Sequence, residues 1–271
     1  MQQALTLPKS ARLPINRCNL PADILGSLTF QNHPVRLYID GVQNLHRRLF
    51  QQLTQIQRAT VRANAFKDYM TVHFRLHHLE DAGLDEHRKQ HRPNADYIRT
   101  LRGWFFNPNG REAAALKGWV ESRFGLLTRY HDGQVYDPLS ENYLKFLDAR
   151  SNALYCTNAL EAQLDLLYSF CQFELALKYA ESQRLKLYRG IIGPDQHEIL
   201  ARQTKHDITI LLNNLNSFTS VQERADEFGD YCLEVLVPWQ KIVFYSSLIP
   251  EMLNGENEYL VIGGIYNTIC A

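Results

Sequence analysis

Residues 157–190, TNALEAQLDLLYSFCQFELALKYAESQRLKLYRG, change periodicity partway and thereby decide the fold. In the first part Leu160, Leu164, Leu167, Cys171 and Leu175 recur at helical spacing behind the possible caps Thr157-Asn158. A helix reaching about Tyr179 is predicted. In the last part Leu185-Lys186-Leu187-Tyr188-Arg189 alternates apolar and polar residues, the pattern of a half-buried strand. Gly190 and Gly193-Pro194 end it.

Working outward, the two sides of this stretch differ in texture. Upstream, Pro8, Pro14, Pro21 and Pro34 predict an extended or turn-like beginning. Ala65 to Leu79 has helical spacing, with Phe66, Met70, Phe74 and His77 on one stripe. Asn107-Pro108-Asn109-Gly110 is a turn signal after Trp104-Phe105-Phe106, and Glu112 to Phe124 again reads as a helix, with Leu116, Trp119 and Phe124 facing the core. Downstream, Val235–Tyr245 and Tyr259–Ile265 are β-rich, broken by Pro238 and Asn254-Gly255. Helices first and strands afterwards predict an α+β fold rather than a parallel βαβ sheet. A mainly helical region over residues 1–150 would pack on a β-rich core of antiparallel or mixed sheets over 151–271, the two forming one compact unit, a size that a single core of 271 residues allows.

Composition narrows the function. The chain is 45% hydrophobic and 21% charged, with 29 Lys+Arg against 29 Asp+Glu. Without a basic excess to neutralise phosphates, nucleic acid is not an expected partner. No apolar stretch is long enough for a membrane span, and the first eighteen residues lack the apolar run of a secretory signal. The five cysteines (Cys18, Cys156, Cys171, Cys232, Cys270) are dispersed without a CxxC pair. They read as reduced thiols of a cytoplasmic protein, Cys156 and Cys171 as core fillers.

Several familiar catalytic signatures are missing: GxGxxG, GxxxxGK[ST], GxSxG and the second histidine of HExxH, where position 201 is Ala. The pairs His73/His77 and His87/His91 lie at i,i+4, but no well-placed third ligand accompanies either, so no metal is expected. Three short segments remain. Tyr188-Arg189-Gly190 places a guanidinium at a strand end, where it could grip a pyrophosphate, beside a glycine that would let a ligand approach the backbone. Asn216-Ser217-Phe218-Thr219-Ser220 is either a polar loop or helix cap, or a set of hydroxyls that orients a carboxylate or phosphate. Glu256-Asn257-Glu258-Tyr259 leads into an apolar strand; two carboxylates two residues apart share a face in strand geometry and repel unless a cationic substrate or positioning groups compensate them, whereas a solvated loop would also tolerate them.

The order arginine, Ser/Thr cluster, Glu-x-Glu resembles the arginine-serine-glutamate class of ADP-ribosyltransferases. Longer blocks, INRCNLP (15–21), DYMTVHFRL (68–76), GWVESRFGLL (118–127), TNALEAQLDLLY (157–168), LNSFTS (215–220) and ADEFGDY (225–231), resemble the NAD–dinitrogen-reductase ADP-ribosyltransferase family over nearly the whole chain. The resemblance implies NAD as co-substrate, an arginine of the nitrogenase iron protein as acceptor, and a PII-type signalling protein as activator. It implies that Arg189 binds the phosphates of NAD and that Gly190 lines the nicotinamide-ribose or amide pocket. Thr219 and Ser220 would support that pocket and the second glutamate. Glu258 would be the catalytic carboxylate, and Glu256 the residue that suits the enzyme to arginine. The class often has Ser-Thr-Ser where this chain has Phe218-Thr219-Ser220, so Ser217 would have to supply the first hydroxyl, and Phe218 could stack on nicotinamide instead. The same class with another arginine target, or a catalytically silent docking protein, are the competing readings. Trp104, Phe105 and Trp119 belong either to the core or to a docking patch, the core being favoured by ordinary burial preference.

Overall fold

The computed structural model describes residues 6–76, 96–135, 137, 139–152, 158–194, 197–250 and 257–270. His77, His87, His91, Cys156 and Glu256 lie outside them. The helices are α1 (Ala22–Leu25), α2 (Leu28–Asn32), α3 (Val42–Leu45), α4 (Arg47–Thr54), α5 (Ala59–Phe74), α6 (Tyr97–Phe106), α7 (Arg111–Phe124), α8 (Glu141–Asn152), α9 (Asn158–Lys178) and α10 (Gln222–Asp226). The strands are β1 (Arg184–Ile191), β2 (Glu198–Arg202), β3 (Asp207–Thr219), β4 (Tyr231–Pro238), β5 (Ile242–Tyr245) and β6 (Glu258–Cys270). The fold is α+β, with the described strands all following α9 and every pairing antiparallel.

The predicted switch falls where the periodicity changes: α9 ends at Lys178 and β1 begins at Arg184. The α7 helix matches its prediction, and Gly125 at φ 70° closes it in the left-handed conformation that glycine adopts cheaply. Elsewhere the chain departs from expectation. The α5 helix starts at Ala59 and stops at Phe74, because Arg75 turns left-handed at φ 52°. The proline-rich beginning is not merely extended: Pro21 precedes α1, and Ser27 caps α2 by accepting a bond from Phe30 N. Proline lacks an N–H, which costs nothing at a helix start.

Two thirteen-residue strands, β3 and β6, form the spine of the sheet. One edge of β3 receives β2 and then β1; the far edge of β6 receives β5 and then β4. Since β1 also pairs with β4 along its length, the pairings β1–β3–β6–β4 close on themselves. The ribbon bends where the β3–β6 register shifts between Leu212 and Leu215. There a Cβ on Gly263 would lie 1.6 Å from Asn213 O, so only glycine admits the close approach.

That bend also docks the helices onto the sheet. Asn213 exchanges bonds with Arg129 N (2.9 Å) and Tyr130 O (2.9 Å), and Asn214 Nδ2 donates to Lys117 O (2.9 Å) and Leu126 O (3.2 Å). A single hydrophobic cluster runs from Leu7 to Cys270, through α5, α7 and α9 into the strands. Trp104 (3% exposed) and Trp119 (1%) belong to it and Phe105 packs against it, so these rings serve the core. Cys171 is likewise core. Among the described residues no helix is long and apolar enough to cross a membrane.

Candidate active site

A cleft of about 440 Å³ opens where α6, α7 and α10 face the ends of β1, β3 and β6. Its size falls in the range usual for small-molecule sites, about 300–1,000 Å³. Sheet register explains its polar wall. Tyr188 of β1 pairs with Thr219 of β3, and Thr219 pairs with Glu258 of β6, so the three segments singled out in the sequence lie side by side. Arg189, Gly190, Thr219 and Glu258 all border the cleft.

Arg189 is held by Nη1, which donates to Ser217 O at 2.8 Å, while its Nε is buried without a hydrogen-bond partner. Desolvation pulls its pKa down to about 10, partly offset by the negative charge of Glu258. At neutral pH the guanidinium is still charged, with an unused donor beside the cleft. Such a donor suits a phosphate oxygen.

Gly190 lines the cleft, but for a different reason than expected. A Cβ there would sit 2.0 Å from Ala225 O, so the backbone that approaches Gly190 is that of α10, not only a ligand's neighbourhood. The glycine lets α10 pack onto β1 and form a cleft wall that carries Arg224 and Phe228.

The segment 216–220 is neither loop nor helix cap: 216–219 end β3. Alternation puts Ser217 and Thr219 on one face and Phe218 on the other. Phe218 also borders the cleft, though it is 2% exposed and part of the hydrophobic core. Ser217 Oγ accepts from Trp104 Nε1 at 2.9 Å, fixing α6 to the sheet. Thr219 Oγ1 accepts from Val221 N at 3.2 Å. Ser220 is not on the cleft wall; its backbone N–H donates to Asn257 O at 3.3 Å and its hydroxyl bonds Tyr259, so it steadies the start of β6 on both sides of Glu258. Glu256 lies outside the described residues.

The opposite wall contains residues to which the sequence reading gave no part in the site. Lys117 of α7, 2% exposed, Trp104 of α6 and the adjacent Phe106, 92% exposed, all border the cleft. A lysine on an otherwise ordinary helix gives no sequence signal of this. Among the described residues no group of three or more His, Cys, Asp or Glu side chains could hold a metal ion.

A charged arginine with an unpaired buried donor, a strand-end hydroxyl and a carboxylate thus meet on one cleft. Comparison with known proteins narrows the class. Residues 15–269 match the family model described as dinitrogenase reductase ADP-ribosyltransferase (DRAT). The chain is 37% identical over 262 residues to the NAD(+)--dinitrogen-reductase ADP-D-ribosyltransferase of Rhodospirillum rubrum, covering 93% of this chain and 92% of the relative. The chain belongs to the dinitrogenase reductase ADP-ribosyltransferase family. No solved structure matches it.

Proposed function

We propose that this enzyme transfers the ADP-ribose of NAD to an arginine of dinitrogenase reductase, the nitrogenase iron protein, releasing nicotinamide and switching off nitrogen fixation. The observation that carries this reading is the convergence of Arg189, Thr219 and Glu258 on one cleft in a chain of this family. The name of the Rhodospirillum rubrum relative supports NAD as donor and dinitrogenase reductase as acceptor.

In this reading Arg189 receives the diphosphate with its unpaired Nε–H. Glu258 stands beside the ribose carbon, which becomes positively charged as the bond to nicotinamide breaks. A preorganised carboxylate stabilises that oxocarbenium-like state more than the ground state. The acceptor guanidinium is protonated at ordinary pH and is a poor nucleophile. Glu256 aligns it and takes its proton as the new carbon–nitrogen bond forms. Thr219 lines the donor pocket, while Ser217 and Ser220 hold its walls.

Residues 151–271 would carry donor binding and chemistry, and residues 1–150 acceptor recognition. The exposed ring of Phe106 at the cleft supports this division of labour, since a protein presenting an arginine to Glu258 must lie against that rim. A cytoplasmic location and a PII-type activator complete the proposal. Incubation with labelled NAD and dinitrogenase reductase, with and without the activator, tests it. Labelled iron protein is expected. Labelling of an arginine analogue but never of the iron protein would move the target elsewhere, and no labelled product under any condition would leave only a docking protein.

A further inference from the structure

Lys117 is the most completely buried cation on the cleft wall, and all its hydrogen-bond partners are neutral. Its ammonium donates to Pro108 O (2.8 Å) and Tyr130 O (3.0 Å), lies 3.2 Å from His131 Nδ1, and sits 5.7 Å from the centre of the Trp104 ring. Burial and the charge of Lys117 pull His131 down to about 4, so near neutral pH the imidazole is uncharged and offers a lone pair. Arg189 borders the same cleft and is close enough for its charge to act on Lys117.

A buried cation is costly unless an anion compensates it. Here two cations face the same cleft, Lys117 from the helical wall and Arg189 from the sheet, and Arg189 has an unused, buried N–H donor. Mutual repulsion raises the cost further. Three neutral acceptors hold Lys117 in place without cancelling its charge. Such an arrangement suits a ligand that brings about two negative charges, as a diphosphate does.

We propose that Lys117 is a positioning residue of the transfer site, supplying beside Arg189 the second positive charge that receives the diphosphate of the donor. This rests on the proposed use of NAD and adds a residue, on the helical side of the cleft, to the donor site. Desolvation, followed by the charge of Arg189, brings Lys117 to about 7 in the free protein. A bound diphosphate favours the ammonium, so donor binding above pH 7 takes up a proton, and affinity falls as pH rises. The other charged groups around this point are Arg189 with Glu258 on the sheet, Asp132 beside His131, Arg224 on α10, and Glu121 one turn along α7, paired with Arg150. Comparison of wild type with Lys117→Met separates Lys117 from all of these.

The experiment measures binding of ADP-ribose and of nicotinamide by calorimetry from pH 6.5 to 9, in two buffers of different ionisation enthalpy. Wild type should take up close to one proton per ADP-ribose near pH 8 and lose affinity up to tenfold per pH unit above the lysine's pKa. Lys117→Met should bind ADP-ribose about tenfold more weakly at pH 7, with the pH dependence gone. Its nicotinamide affinity should be unchanged, which also shows that the cleft is intact, and KM for NAD should rise more than kcat falls. Lys117→Arg should keep affinity and lose the pH dependence. Equal ADP-ribose binding by wild type and Lys117→Met, or no proton uptake by wild type, overturns the assignment and leaves NAD as donor untouched. Should the methionine variant not fold, the wild-type proton count still decides. Failure of wild type to bind either NAD or ADP-ribose would instead remove the donor reading itself, and the role of Lys117 with it.

Discussion

Arg62 and Arg123 in the helical half each meet a carboxylate in the interior, whereas Lys117 and Arg189 at the cleft meet mainly backbone carbonyls. Arg62 of α5 grips Glu174 of α9, Nη2 to Oε2 at 2.8 Å; Arg123 of α7 grips Asp165 of α9 through Nε and Nη2 at 2.8 and 2.9 Å, with Trp119 donating to the same carboxylate at 2.7 Å. Hydrogen bonding to Glu174 holds Arg62 above its ordinary value, while burial drags Arg189 down to about 10. Partner charge thus separates the cations of the scaffold from those of the site. A cation neutralised by a neighbouring helix fixes that helix; a desolvated cation beside a cleft is kept for a ligand.

The largest effect should come from breaking a scaffold pair. Glu174→Ala leaves Arg62 buried without its carboxylate, and the expected cost is about 3–5 kcal/mol in urea or thermal unfolding. Arg189→Met removes a desolvated cation at the cleft, yet stability should change by less than about 1 kcal/mol or rise, while NAD binding falls sharply. If both substitutions destabilise alike, the distinction between scaffold and ligand charges is lost.

Next in size, Glu258→Gln tests the carboxylate on the other side of the cleft. Size is kept, the charge is removed, and one accepting oxygen becomes a donating NH2. Transfer of ADP-ribose should fall roughly a hundredfold or more, with the melting temperature little changed, because the group acts on charge that develops only in the transition state. Near-normal transfer would take Glu258 out of the chemistry.

How much of this was legible beforehand follows the same divide. The switch from α9 to β1 could be read because a helical stripe and a strand alternation follow each other directly. Arg189, Thr219 and Glu258 could be picked out from a shared motif order, although nothing local shows that register brings them together. The β3 strand was hidden: it is covered on both faces over Ile208–Leu212, so its apolar run does not alternate, and Asn213-Asn214 interrupt it. Those asparagines look like loop residues and prove to be the bulge that docks α7. Lys117 was illegible for a related reason. A lysine on a helix reads as solvated, and only tertiary contacts from Pro108, Tyr130 and Asn214 make it a wall of the cleft.

Gly190 lies between the two kinds of effect, since its missing side chain serves both packing and site. In Gly190→Ala the new methyl must displace Ala225 O, which belongs to the backbone of α10 and cannot rotate away. Overpacking of this sort costs about 1–3 kcal/mol. Because α10 carries Arg224 along the cleft and leads directly to Phe228, KM for NAD should rise in the same variant. A variant with wild-type melting and wild-type KM would mean that α10 yields freely.

A still smaller effect appears as a pH dependence of stability. Lys241 is fully buried at the bend of the sheet, where Nζ donates to Gly263 O at 3.0 Å and lies 4.5 Å from the centre of the Tyr266 ring. Desolvation lowers it to about 7. In the unfolded chain a lysine titrates near 10.4, so between pH 7 and 10 the unfolded state binds more protons than the folded one. Stability must therefore rise with pH across that window, by at most about 1.4 kcal/mol per pH unit for each such lysine. The gain ends at higher pH, where Tyr97, Tyr245 and Tyr266, all raised by burial, make the unfolded state the easier one to ionise. Urea midpoints at pH 7, 8 and 9 should climb in wild type and climb less steeply in Lys241→Met. Saturating ADP-ribose should flatten the share due to Lys117 and leave that of Lys241 in place, because only the cleft lysine has an anion to meet. A ligand that flattened both, or neither, would erase the line between a cation held for the donor and one merely enclosed by the sheet.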